Sequence, residues 1–167
     1  MIMIALMVAL SAVGRLIFMP IPGFKPVTAM VVITAIYFGA EAGFMTGALT
    51  AVVSNFYFGQ GPWTPFQMFV WGLIGFAAGI LSNSIKNNKI VLAVYGIVAG
   101  VVYSLLMDVW TVLWYDGVFN FARYKAALIS AASYTVIYAM SNVIFLLLLV
   151  KPIGIKLERI KDKYGIK

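Results

Sequence analysis

Cysteine and histidine are both missing from the 167 residues. Their absence removes disulfides, thiolate nucleophiles, histidine-based metal sites and Ser-His triads together. Acids are scarce too, five against twelve Lys and Arg, and charged residues of either sign make up 10% of the chain, where a soluble domain carries about a quarter. What is abundant is apolar, at 63%. No soluble fold could hide that surface, so the expected solvent is a lipid bilayer. The chain opens on Met1-Ile-Met-Ile-Ala-Leu-Met7 without a small-residue cleavage site ahead of it, and this first apolar segment is expected to stay as a helix.

The apolar runs and their interruptions give six candidate spans, approximately Ile2 to Phe18, Val27 to Phe38, Gly43 to Phe58, Phe66 to Leu81, Ile90 to Tyr115 and Ala126 to Val150. The breaks carry Pro, Gly, Asn and Asp, as turns do, and they are short, so neighbouring helices should run antiparallel. Spans 2 to 4 fall short of the roughly 20 residues of a perpendicular crossing. The Pro- and Gly-rich breaks beside them are therefore expected to reach membrane depth, where irregular backbone must line a cavity or be buried. The fold class expected is an all-α integral membrane bundle of six transmembrane helices, one domain over residues 1–167, with 151–167 a basic cytoplasmic tail.

Orientation follows from the basic residues. With six spans the termini share a side, which collects Lys86, Lys89, Lys151, Lys156, Arg159, Lys161, Lys163 and Lys167 against Arg15, Lys25, Arg123 and Lys125 opposite. The positive-inside rule puts both termini in the cytoplasm. A basic tail can suggest nucleic acid, but one that directly follows a span reads as an anchor on anionic lipid.

In that topology the polar residues converge on the outer leaflet. Spans 1, 3 and 5 bring Arg15, Ser54, Asn55, Asp108, Thr111 and Tyr115 there, and spans 2, 4 and 6 bring Thr28, Gln67, Trp71, Ser130 and Tyr134. Asp108 is the sole acid inside any of the apolar runs; a carboxylate at that depth costs about 2.5–3.5 kcal/mol on insertion scales and faces a cavity or a partner charge. Arg15 lies at comparable depth and is the expected partner, directly or through a polar bridge. Singly, Ser54, Ser104 or Asn142 would merely join helices; the set as a whole suggests a pocket open to the outside. Two outer loops, Met19 to Pro26 and Gly59 to Pro65, are expected to flank it, adding Lys25, Gln60 and the aromatic anchor Trp63, for which an interfacial-belt role is the alternative.

Small residues recur four apart at Ala5/Ala9, Gly43/Gly47/Ala51, Gly75/Gly79 and Gly96/Gly100, the spacing that lets helices approach closely. Most should pack the bundle internally. Ala5 and Ala9 fall in the cytoplasmic half of span 1, where a smooth face could dock another membrane protein.

Six short spans with both termini inside, a small-xxx-small pair in span 1 and two loops over an outer pocket resemble the substrate-specific S component of an energy-coupling factor (ECF) vitamin transporter. The resemblance is strongest in Pro22-Gly-Phe-Lys-Pro-Val-Thr-Ala29, Ser54-Asn55 and Gly59-Gln-Gly-Pro-Trp-Thr-Pro-Phe-Gln67, with Lys151-Pro-Ile-Gly154 consistent, and its branch looks most similar to cobalamin-type S components. It implies a binding subunit that performs no chemistry and needs no catalytic cofactor. It would take a vitamin from outside and associate through Ala5 and Ala9 with a transmembrane coupling (T) component carrying two cytoplasmic ATPases. The chain has no Gly-x-x-x-x-Gly-Lys-Ser/Thr loop of its own.

Two rivals remain. A stand-alone secondary transporter of a small organic solute would show an internal repeat and a midplane ion site, and no repeat relates residues 1–80 to 81–167. A membrane enzyme would need more than Asp108 and Arg15. The ligand itself stays open among corrinoids, flavins and pterins, because stacking on Trp and Tyr discriminates weakly.

Overall fold

The computed structural model describes residues 1–165; Lys167, one of the basic residues weighed for orientation, lies outside them. The helices are α1 (Ile2–Ile17), α2 (Val27–Phe38), α3 (Ala40–Phe58), α4 (Trp63–Ile80), α5 (Ser82–Asn87), α6 (Lys89–Asp116) and α7 (Phe121–Tyr164), and no strand occurs among the described residues. Six of them follow the six apolar runs in order. α4, α6 and α7 are long and apolar enough to cross a membrane, while α1 and α2 are shorter apolar helices of 16 and 12 residues.

The element boundaries differ from expectation in five places, each for a local reason. α7 starts at Phe121 rather than Ala126, because Asn120 Oδ1 caps it by accepting from Ala122 N–H and Arg123 N–H. Gly39 alone separates α2 from α3: its φ of +92° turns the chain, and Gly43 N–H bonds back to Gly39 C=O at 3.1 Å, so the helix starts at Ala40 rather than Gly43. α4 begins at Trp63 instead of Phe66, because Pro65 falls within its first turn, where the missing N–H has no intrahelical acceptor to lose. The break at residues 82–89 contains the short helix α5. Finally, residues 151–164 continue α7 through Pro152, so the basic segment expected as a tail is helical.

Large apolar side chains cover the outside: Phe56 and Ile129 are each 77% exposed, a surface that suits lipid and not water. Inside, Trp71, Tyr138, Ile33, Ile85 and Leu146 are fully buried. The closest helix pair is α3 with α4. A Cβ on Gly43 would lie 2.6 Å from Gly75 C=O, and one on Gly47 would strike the Trp71 carbonyl carbon at 2.5 Å, so these positions accept only hydrogen and the two backbones touch. Gly100 does the same for α6 against the Ala139 backbone of α7, and a Cβ on Gly96 would meet the Leu146 side chain first. That contact brings Trp71, Tyr103 and Tyr138 together from three helices.

At one end of the bundle α7 grips α2 and α5. Leu157 is buried with Met7, Met30 and Ile33, Lys161 Nζ donates to Tyr37 C=O at 2.9 Å, and Lys86 of α5 pairs with Glu158 at 2.6 Å. That hydrogen bond to Glu158 raises the Lys86 ammonium above its ordinary range. The pair is half exposed, so its strength is that of a surface ion pair.

Candidate functional site

The opposite end holds the polar residues. α1 delivers Arg15 in its last turn, α3 delivers Ser54 and Asn55, α4 delivers Thr64, Gln67 and Trp71, and the loop before α2 delivers Lys25. Arg15 Nη1 donates to Ser54 Oγ at 2.5 Å and to Asn55 Oδ1 at 2.8 Å. Because a guanidinium can only donate, Asn55 must present its carbonyl to Arg15, which leaves its NH2 for Thr64 Oγ1 at 3.0 Å and Gln67 Oε1 at 2.8 Å. Gln67 Nε2 in turn donates to Tyr103 OH at 2.7 Å. One cation thus sets the direction of a chain of amides across four helices.

A second group lies beside it. Trp71 stacks on Tyr103 with centroids 5.4 Å apart and planes at 21°, and Tyr103 meets Tyr138 edge-on at 5.0 Å. Tyr138 OH accepts from Trp71 Nε1 at 3.0 Å and bonds Thr28 Oγ1 at 2.7 Å. Lys25 sits among these rings. Its Nζ donates to Tyr134 OH at 2.8 Å and lies 4.8 Å from the Tyr138 centroid, 5.4 Å from Tyr103 and 5.5 Å from Trp71. Its backbone is pinned at both ends by Ser141, whose Oγ accepts from Lys25 N–H and donates to Lys25 C=O. Burial lowers the Lys25 ammonium from 10.5 to about 8, with Tyr103 opposing the shift and Arg15 adding to it. Arg15 stands over Phe58 at 4.3 Å and Trp71 at 5.5 Å, so the two cations share one indole.

Seven expected site residues therefore meet: Arg15, Lys25, Thr28, Asn55, Gln67, Trp71 and Tyr134. Five do not. Gln60 is exposed and donates to Val52 C=O; Trp63 packs edge-on against Trp110, 37% exposed; Thr111 bonds back to Met107 C=O; and Tyr115 points outward, 71% exposed. Asp108 makes no ion pair among the described residues, its Oδ2 is buried without a hydrogen-bond partner, and Arg15 is committed to Ser54 and Asn55. The expected Arg15–Asp108 link is thus corrected. Asp108 lies one turn from buried Ser104 and one turn from buried Val112 on α6, and the guanidinium expected to meet it is taken up by α3. Ser130 is likewise exposed.

Thr64, Tyr103, Tyr138 and Ser141 belong to the cluster and were not among the expected site residues; Ser54, expected at this depth but singly only as a helix joiner, accepts from Arg15. Tyr138 had a signal in its helical spacing from Tyr134. Tyr103 had one too, at seven residues from Gly96 on the close-packing face of α6. On α1, Ala5 and Ala9 are exposed while Met7, Val8 and Ser11 are buried, so the two alanines face away from the bundle. A groove of about 570 Å³ between α4, α5 and α6, lined by Leu73, Ile74, Val94 and Val98, is apolar and carries no charged group; it offers nothing to orient a polar ligand.

Residues 1–159 match the family model described as ECF-type riboflavin transporter, S component. No curated protein and no solved structure matches the chain. The match agrees with the S-component resemblance and corrects its branch, from cobalamin type to riboflavin type.

Proposed function

The chain belongs to the S components of ECF-type riboflavin transporters, and from that premise we propose that it captures a flavin at the Arg15–Lys25 end of the bundle. It is a substrate-binding membrane subunit that works with a T component and ATPase subunits. ATP is hydrolysed by those partners, and no catalytic cofactor is required. The observation that carries the flavin reading is the aromatic wall of Trp71, Tyr103 and Tyr138 beside a directed row of amides. A tricyclic, hydrogen-bonding ring needs both: flat faces for stacking and edge donors and acceptors to fix its orientation.

The helices α1 to α4, α6 and α7 are read as the six spans, with both termini cytoplasmic. The Arg15–Lys25 end then faces outside, and the end where Lys86, Lys161 and the basic face of α7 gather meets the anionic inner leaflet. Arg15, Lys25, Thr28, Asn55, Gln67, Trp71 and Tyr134 form the proposed ligand site, joined by Tyr103 and Tyr138. Lys25 fills the space between the rings, so a stacking ligand must move its side chain. Ala5 and Ala9 are the proposed contact with the T component, supported by their exposure on α1.

Quenching of flavin fluorescence on titration with the purified chain tests the reading. Saturable quenching by the wild type, weakened ten-fold or more by Trp71→Phe with Gln67→Leu (about 1.4 kcal/mol per decade), is expected. Absence of quenching, alongside a thermal shift with another vitamin, would overturn it.

A further inference from the structure

The apolar groove between α4, α5 and α6 lies toward the Lys86–Lys161 end of the bundle, away from the polar cluster. Leu73 and Ala77 of α4 face Val94 and Val98 of α6 across it, and Leu81 and Ile85 close it at α5. Tyr95 OH donates to Ile74 C=O at 2.5 Å and bridges α6 to α4, so the groove is a fixed feature of the packing. A cleft with such walls does not hold water. In a bilayer the surrounding medium supplies what fits it, an acyl chain. Along α6 the lining runs from Val91 to Val102, about 16 Å at 1.5 Å per residue, which is the depth of one leaflet of a hydrocarbon core about 30 Å thick.

At its α5 end the chemistry changes. Ser84, which lines the groove, is followed by Lys86, Asn87, Asn88 and Lys89. Glu158 neutralises Lys86, whereas Lys89, exposed in the first turn of α6, has no ion pair among the described residues. The sequence carries no acid between Glu41 and Asp108, so neither wall of the groove opposes a negative group there. We infer that the groove binds one anionic phospholipid, its acyl chain between α4 and α6 and its phosphate at Lys89 and the Ser84 hydroxyl. The chain gains packing contacts on two fixed helices, and the lysine selects the charged headgroup, as basic residues at a helix end do. This site shares no residue with the cluster at the opposite end.

Native mass spectrometry of the purified full chain, mixed in detergent with equal amounts of phosphatidylglycerol and phosphatidylcholine, reads which lipid is retained. The wild type is expected to keep a single phosphatidylglycerol, preferred about five-fold over phosphatidylcholine. Val94→Trp fills the groove from an exposed position and should cut retention about ten-fold or more, whereas Val136→Trp, at the separate groove between α6 and α7, should leave it unchanged. Lys89→Gln should retain lipid but bring the preference below about two-fold. A melting transition for each variant guards against misfolding. No retained lipid, equal retention of the two lipids by the wild type, or loss with Val136→Trp in place of Val94→Trp overturns the inference, and flavin quenching by the same preparations stands or falls separately.

Discussion

At Asp108 and Arg15 the side-chain geometry reverses an expectation drawn from depth. Each has its own surroundings, so Asp108→Asn and Arg15→Gln should act independently, and a double-mutant cycle should close to within about 0.5 kcal/mol. A coupling well beyond that would restore the direct link. Lys25 supports a prediction in pH. It lies in the loop between α1 and α2, faced by Arg15 from α1, by Tyr103 from α6 and by Tyr134 and Tyr138 from α7. Its folded value of about 8 is below the ordinary 10.5, so between those values the unfolded chain holds more protons and stability rises with pH. Melting temperature should therefore climb from about pH 8 upward in the wild type and not in Lys25→Met; parallel curves would sink the assignment. Much of this cluster was legible, because Arg15, Asn55 and Gln67 are conspicuous inside apolar helices. Tyr103 and Tyr138 were harder to find, since a tyrosine in a membrane helix reads equally as filler or belt, and the Asp108–Arg15 pair was over-read because comparable depth does not choose between partners: Arg15 bonds Ser54 and Asn55 instead.

Among the elements, the α3–α4 crossing is the most sensitive to size. Gly75 faces Gly43 C=O and Val31 in contact distance, so Gly75→Leu must separate two backbones; overpacking of this kind costs about 1–3 kcal/mol. Because Trp71 lies one turn away on α4, ligand affinity should fall together with the melting temperature, whereas a change confined to stability would mean that the crossing does not position the site. The four-residue spacing of these glycines exposed the crossing in the sequence. The run beyond Val150 was misjudged for a physical reason as well. Pro152 and the following charges look like an end, yet Ile153, Leu157 and Ile160 recur at helical spacing, and the burial of Leu157 against Met7 and Ile33 holds the helix past the one backbone bond that proline removes.

For the whole molecule, the separation of the two ends is what a binding subunit requires. Ala5→Trp with Ala9→Trp alters an exposed stripe far along α1 from Arg15, so flavin affinity should remain near normal while copurification with the ATPases is lost. Loss of binding as well would place these alanines inside the packing, and full uptake would remove them from any interface. The order of the apolar helices was readable because the breaks carry Pro, Gly, Asn and Asp; the substrate branch was not, because ring-stacking residues serve many vitamins. α7 adds a mechanical consequence. Its 44 residues give a contour of about 66 Å at 1.5 Å per residue, roughly twice the hydrocarbon thickness of about 30 Å. Any turning of the bundle is magnified at the far end of such an arm, as at the tip of a lever. Since the chain has no cysteine, a single Lys163→Cys offers one unambiguous place to attach a probe where the sweep is largest.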